Sequence, residues 1–240
     1  MAEPTTLATV RPDALAHLMA GIARRCPDVA RGPVDDAPSP DEPGHPEYHR
    51  ARRTEWALSR WRTAVPPRYR RAESTRPAVQ AWADAVAADP ESAGSVLLTG
   101  TTGTGKTHEA YGALRRIAEC GPERYHVIAT TVVDMYGRMR PSPEDELRRL
   151  TRVPLLLLDD LGSGKVTEWT EEVTYRLINE RYNACLPTIY TSNLPADSRD
   201  REGRRHGPDL ITTLGERIAS RLAEDVQVIA FKGRDLRRSA

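Results

Sequence analysis

The stretch PLLLLDDLG, residues 154–162, limits the fold more than any other part of this chain. Four consecutive leucines leave no polar face, and two aspartates end the run. A short segment without alternation suits a strand buried on both sides, as in a parallel sheet covered by helices. Four similar runs accompany it: SVLLT (95–99), YHVIAT (125–130), PTIYTS (187–192) and QVIAF (227–231). Helical stretches separate them. Strand alternating with helix predicts an α/β core built on a parallel sheet.

Upstream of residue 94 the pattern is helical. Leu15, Leu18, Met19 and Ile22 form one apolar stripe over 13–26. The text GPVDDAPSPDEPGHP (32–46) is too rich in proline and acid to build a core and reads as a linker. A helix is expected over 49–64, carrying Trp56 and Trp61 and stopped by Pro66 and Pro67. Another is expected over 77–88. The predicted division is a helical segment at 1–31, a flexible linker at 32–48, a helical connection at 49–75 and a catalytic domain at 76–240.

The 240 residues carry a net charge of +1, so overall charge points neither to nucleic acid nor to membrane. Nearly all basic residues are arginine, with lysine only at Lys106, Lys165 and Lys232. No run reaches the roughly 18 apolar residues of a membrane-spanning helix, and no signal peptide is recognisable. Cys26, Cys120 and Cys185 are distant and odd in number, which fits free thiols in a reducing cytoplasm. With His45 and His49 in a proline-rich stretch, Cys26 makes a poor structural zinc site, and no bound zinc is expected.

Chemistry enters at residues 100–107. Gly100, Thr101, Thr102, Gly103, Thr104, Gly105, Lys106 and Thr107 match the phosphate-binding pattern G-x-x-x-x-G-K-[ST], between a strand and a helix. Glycines let the backbone wrap so that amide groups face phosphate oxygens, and the helix dipole adds to the attraction. Lys106 would reach the β and γ phosphates, and the Thr107 hydroxyl would ligate magnesium. Asp159, where the leucine run emerges, is the expected second metal-positioning group. Asp160 beside it is placed to polarise the attacking water. Asn193, at the end of TIYTSN, either orients that water or merely forms a turn. In GERIASRLAE (215–224), Arg217 and Arg221 share a helix face. They form either a solvated stripe or an arginine finger.

Taken together, GTTGTGKT, LLLLDDLG, LINERYNACLPTIYTSN and GERIASRL, in that order, resemble the AAA+ ATPases of the DnaC/DnaI helicase-loader group and the similar IstB-type transposition ATPases. The resemblance covers about residues 65–235. It implies a P-loop AAA+ core with a five-stranded parallel sheet, ATP and Mg2+ as cofactors, and homo-oligomers on single-stranded DNA. It implies Lys106 and Thr107 in the Walker A motif, Asp159 and Asp160 in Walker B and Asn193 as sensor 1. Arg221 is the implied arginine finger, with Arg217 as second candidate. PPRYRRA (66–72) resembles the segment beside adenine, which brings in Tyr69 and Arg70. No C-terminal helical lid is expected. The implied partner is a replicative DNA helicase, with the apolar stripe of 1–31 as its docking segment.

VVDMYGRMR (132–140) offers Tyr136 for stacking and Arg138 and Arg140 for phosphates, against the plainer reading of an amphipathic surface helix. The alternatives to a helicase loader are an IstB-like helper of a transposase, a P-loop small-molecule kinase and a non-catalytic nucleotide sensor. A kinase would need an acceptor pocket and a lid, for which the sequence gives no sign.

Overall fold

The computed structural model describes residue 20 and residues 38–123, 125–200, 202–233 and 235. The expected N-terminal helix bearing Leu15, Leu18, Met19 and Ile22 lies outside the described residues, as does Cys26.

Five strands form one parallel sheet in the order β2-β3-β4-β1-β5. They are β1 (Ser95–Gly100), β2 (Val127–Thr131), β3 (Leu155–Asp159), β4 (Thr188–Ser192) and β5 (Val226–Phe231). Among the described residues, these helices flank the sheet: α1 (Pro46–Ala64), α2 (Pro77–Ala88), α3 (Lys106–Glu119), α4 (Val132–Met139), α5 (Pro143–Arg152), α6 (Glu168–Asn183), α7 (Leu210–Leu214) and α8 (Glu216–Asp225). Among the described residues, no helix is long and apolar enough to cross a membrane.

The leucine run shows why continuous apolarity suits this sheet. Leu155 and Leu157 join a core with Trp61, Trp82, Leu114 and Ile117 from α1, α2 and α3. Leu156 and Leu158 point the other way, into a core with Met135, Leu150, Leu177 and Leu222 from α4, α5, α6 and α8. Successive strand residues face opposite sides, so a strand with helices on both faces can bury an apolar side chain at every position. β1 is divided likewise, Val96 and Leu98 against Leu97.

Two boundaries differ from expectation by two residues or more. α1 begins at Pro46 rather than 49, because His45 caps it: the His45 ring accepts a hydrogen bond from the Glu47 N–H at 3.1 Å. Proline at the first helical position loses no hydrogen bond there. β2 begins at Val127 rather than 125. Tyr125 is fully buried and its hydroxyl donates to the Leu114 carbonyl at 2.9 Å, so it anchors the strand's entrance instead of pairing within it.

The helix α1, expected as part of a connection, packs on α3 and β2. Ala57 and Trp61 are buried there, and the Trp61 indole N–H donates to the Tyr111 carbonyl at 3.3 Å.

Candidate functional site

In an open parallel sheet with helices on its faces, ligands bind in the crevice outside the carboxyl ends of the strands. β1, β3 and β4 all end at the same edge. β1 runs into residues 101–105, and α3 starts at Lys106. Gly105 caps α3 with φ 93°, a left-handed conformation that any residue with a β-carbon adopts at a cost. This turn lets the chain reverse and start a helix whose free N–H groups face the loop.

The Lys106 side chain is only 5% exposed. Its ammonium donates to the carbonyls of Gly100 (2.8 Å) and Thr101 (2.9 Å) and to Oδ1 of Asn193 (2.9 Å). Asn193 in turn donates through Nδ2 to Asp160 at 3.3 Å. The Thr107 hydroxyl donates to Asp159 at 3.0 Å. Lys106, Thr107, Asp159, Asp160 and Asn193 therefore form one connected group at the ends of three strands. With Tyr69 and residues 102–105 they line a cavity of about 790 Å³. Thr101 is exposed beside it, and Gly100 contributes its carbonyl.

Burial pushes the Asp159 carboxyl above the ordinary carboxylate range; the charge of Asp160 adds to this, while hydrogen bonds from Thr191 and Thr107 pull it down. A desolvated carboxylate beside a hydroxyl is the donor set that suits a small hard cation such as Mg2+. The loop also suits an anion. The carboxylate of Asp235 already lies against Gly103, at the mouth of the loop, in the space that a β-carbon on Gly103 would enter.

Several residues at this site escape a reading by motif. Thr191, fully buried on β4, donates to Asp159 Oδ1 at 2.5 Å and accepts from the Asp160 N–H at 3.0 Å. One hydroxyl thus ties both aspartates to β4. Asp160 has φ +59°, unusual for a residue with a side chain. Glu109, in the first turn of α3, is 5% exposed. It accepts from the Ser74 hydroxyl (2.9 Å), the Thr75 N–H (3.0 Å) and the Thr75 hydroxyl (2.5 Å). Segment 73–75 lies so close to α3 that a β-carbon on Gly112 would stand 2.4 Å from its backbone. The signals available were an acid and a glycine on one helix, at positions 109 and 112; their partner segment lies more than 30 residues upstream.

The side of the cavity where a base was expected also differs in detail from that expectation. Tyr69 lines it, stacked on Tyr111 with ring centroids 4.6 Å apart. Arg70 is exposed and does not line it. Arg68 and Arg76 do, and the Arg76 guanidinium lies 4.0 Å from the centre of the Phe231 ring.

The structure does not bring Arg221 to this cavity. Its guanidinium donates to Asn179 (3.1 Å) and Glu224 (3.0 Å) and stacks on the Tyr182 ring. The side chain, on α8 against α6, is 34% exposed. Arg217 is exposed. Tyr136 is half-buried. Its ring packs against Trp169 and Gly164 and its hydroxyl pairs with Thr174 at 2.7 Å, so it is held in the protein rather than offered to a base. Arg138 and Arg140 are exposed.

A family model described as IstB-like ATP binding protein matches residues 84–239. The chain is 28% identical over 106 residues to the replicative helicase loader DnaI of Bacillus subtilis, covering 42% of this chain and 33% of that protein. It is 32% identical over 101 residues to a protein described as ATP-binding in an insertion sequence of Mycobacterium tuberculosis, covering 41% and 40%. The chain thus spans well under half the length of these two relatives. The crystal structure of the DnaC helicase loader superposes with a TM-score of 0.57 at 26% identity, over 70% of this chain and 100% of that one. The parallel order of the sheet, the phosphate loop at its carboxyl edge and a match across most of the sequence agree: this chain belongs to the IstB-like ATP-binding family and has the AAA+ P-loop fold of the DnaC and DnaI loaders.

Proposed function

We propose that the protein is a Mg2+-dependent ATPase that binds single-stranded DNA and delivers or remodels a replicative DNA helicase. The observation that carries the catalytic part is the connected group of Lys106, Asn193, Asp160, Asp159 and Thr107 around one cavity.

Residues 100–107 would receive the triphosphate, with Lys106 exchanging its carbonyl partners for phosphate oxygens. Thr107 and Asp159 would hold Mg2+, which when bound neutralises charge on the β and γ phosphates. Asp160 and Asn193 already share a hydrogen bond. Together they would orient a water in line with the γ phosphate. Tyr69 would lie beside the base. A homo-oligomer would complete each site with an arginine from a neighbour, Arg221 or Arg217. Such a group raises rates by about 10³–10⁵. Arg217 is exposed as it stands, whereas Arg221 would first leave Asn179 and Glu224.

The experiment is ATP turnover by mixed variants. Lys106→Ala protein mixed with Arg221→Ala or Arg217→Ala should regain turnover with the one arginine that is supplied in trans. No recovery with either, in mixtures shown to be oligomeric, removes the shared site.

The helicase part rests on similarity to the two loaders, and residues 1–31 are the proposed docking segment. Protein lacking residues 1–37 should bind ATP as the parent does and fail to capture the helicase. The second reading, an ATPase helping a transposase, is favoured by the family model and the insertion-sequence relative. Capture of a transposase and not of helicase by the full-length chain would decide for it.

A further inference from the structure

The chain as a whole carries +1, but its charge is unevenly spread. Residues 49–71 contain eight arginines (50, 52, 53, 60, 62, 68, 70 and 71) and one acid, Glu55. That segment is +7, so the rest of the protein is −6. All eight arginines except Arg53 are exposed.

The segment also holds an unexplained aromatic. Trp61 is buried in the core, but Trp56 is 45% exposed. Arg52, Trp56 and Arg60 are spaced by four and fall in one row along α1, about 6 Å per step. The Arg60 guanidinium lies over the Trp56 ring at 5.3 Å. Trp56 borders two hollows. Arg52 and Arg53 line one, and Arg149, Arg152 and His126 line the other, from the amino ends of β2 and β3. Glu123 is the acid in both, and Arg52 pairs with Glu55 across open solvent. Exposed pairs of that kind are weak and readily exchanged.

We propose that the outer face of α1, centred on Trp56 with Arg52, Arg60 and Arg152, is a contact surface for single-stranded nucleic acid. Arginines along a track neutralise phosphates, and an exposed indole stacks on an unpaired base of any sequence. This is the combination that α4 lacks, since Tyr136 is held by Thr174 and Trp169. A membrane surface fits worse. An interfacial helix needs a continuous apolar face, and the apolar residues Ala57 and Trp61 of α1 are already buried in the core. The inference deepens the DNA-binding part of the proposed function and rests on it.

The test uses the full-length protein with ATP and Mg2+, a fluorescein-labelled oligothymidylate as probe, and anisotropy titrations at several salt concentrations. The triple variant Arg52→Ala/Trp56→Ala/Arg60→Ala should bind at least tenfold more weakly. Its slope of log affinity against log salt should be shallower by about 1.4, two phosphate contacts at about 0.7 each. ATP affinity and melting temperature should match the parent. Trp56→Phe, which keeps a stacking face, should retain most of the affinity. A triple variant that binds like the parent overturns the surface and leaves the DNA reading standing, with Arg138→Ala/Arg140→Ala as the comparison. A parent that binds no oligothymidylate in any nucleotide state overturns the DNA reading itself. Binding to phosphatidylserine vesicles through Trp56 without binding to the oligonucleotide assigns the face to membrane and overturns the inference.

Discussion

β3 and β4 each have a buried cation near both of their ends. At the carboxyl edge Lys106, 5% exposed, donates to the carbonyls of Gly100 and Thr101. At the amino edge Arg181, 1% exposed, donates to the carbonyls of Leu150, Val153 and Pro187 and to the Thr188 hydroxyl. Both side chains donate to backbone carbonyls. The difference lies in what surrounds them. Lys106 borders a cavity of about 790 Å³, and its carbonyl partners belong to a loop whose amides can take an anion. Arg181 is enclosed by the ends of α5 and β4, and burial lowers its pKa to about 10, so it stays charged at neutral pH. A buried cation with exchangeable partners beside open space serves a ligand, while one whose every partner is fixed serves the fold.

That contrast can be broken by substitution. The largest effect is expected at the closed end. Arg181→Met would strand at least three buried carbonyls, at a cost of about 3–5 kcal/mol. Thermal melting should fall by roughly 10 °C. Arg181→Lys should not restore it, because one ammonium cannot reach partners that a planar fork reaches. At the open end Lys106→Ala should weaken ATP binding about 100-fold by calorimetry, with melting of the ligand-free protein changed by less than about 1 kcal/mol. Equal destabilisation by both variants would erase the distinction.

A third variant tests the order within the open end. Thr191→Val keeps shape and removes the hydroxyl shared by Asp159 and Asp160. Loss of a hydrogen bond to a charged group is worth about 1.5–3 kcal/mol, so turnover should drop about 10- to 100-fold while ATP affinity stays near that of the parent. A matching loss of affinity would make Thr191 a binding residue instead. The smallest effect is expected from Glu109→Gln. It weakens the hydrogen bonds that hold Ser74 and Thr75. ATP affinity should fall about fivefold, a difference of roughly 1 kcal/mol, with turnover at saturation unchanged.

What sequence could and could not reveal follows from distance along the chain. The sheet was legible because each strand is a contiguous run, and because PLLLLD leaves no face for water. The phosphate loop was legible for the same reason: its eight residues are consecutive. Partner choice was not. Arg181 meets carbonyls 28 and 31 residues away, and Glu109 meets Thr75 across 34. Neither Arg181 in NERYN nor Glu109 in HEAYG shows which segment it will anchor. Arg221 and Tyr136 show the converse. Their types suit a solvent-facing task, but the packing of α8 and α4 on α6 turned them towards Asn179 and Thr174.

The left-handed backbone of Asp160, φ +59°, has a consequence for which sequences can occupy that position. Asparagine and aspartate tolerate this conformation, glycine adopts it without cost, and longer or branched side chains do not settle there easily. A library randomised at position 160 should therefore separate under two selections. Selection for folded protein alone should enrich glycine, asparagine and aspartate. Selection for ATP turnover should keep aspartate and reject glutamate, although glutamate carries the same carboxylate. The backbone angle, not the chemistry of the acid, would set the length of that side chain.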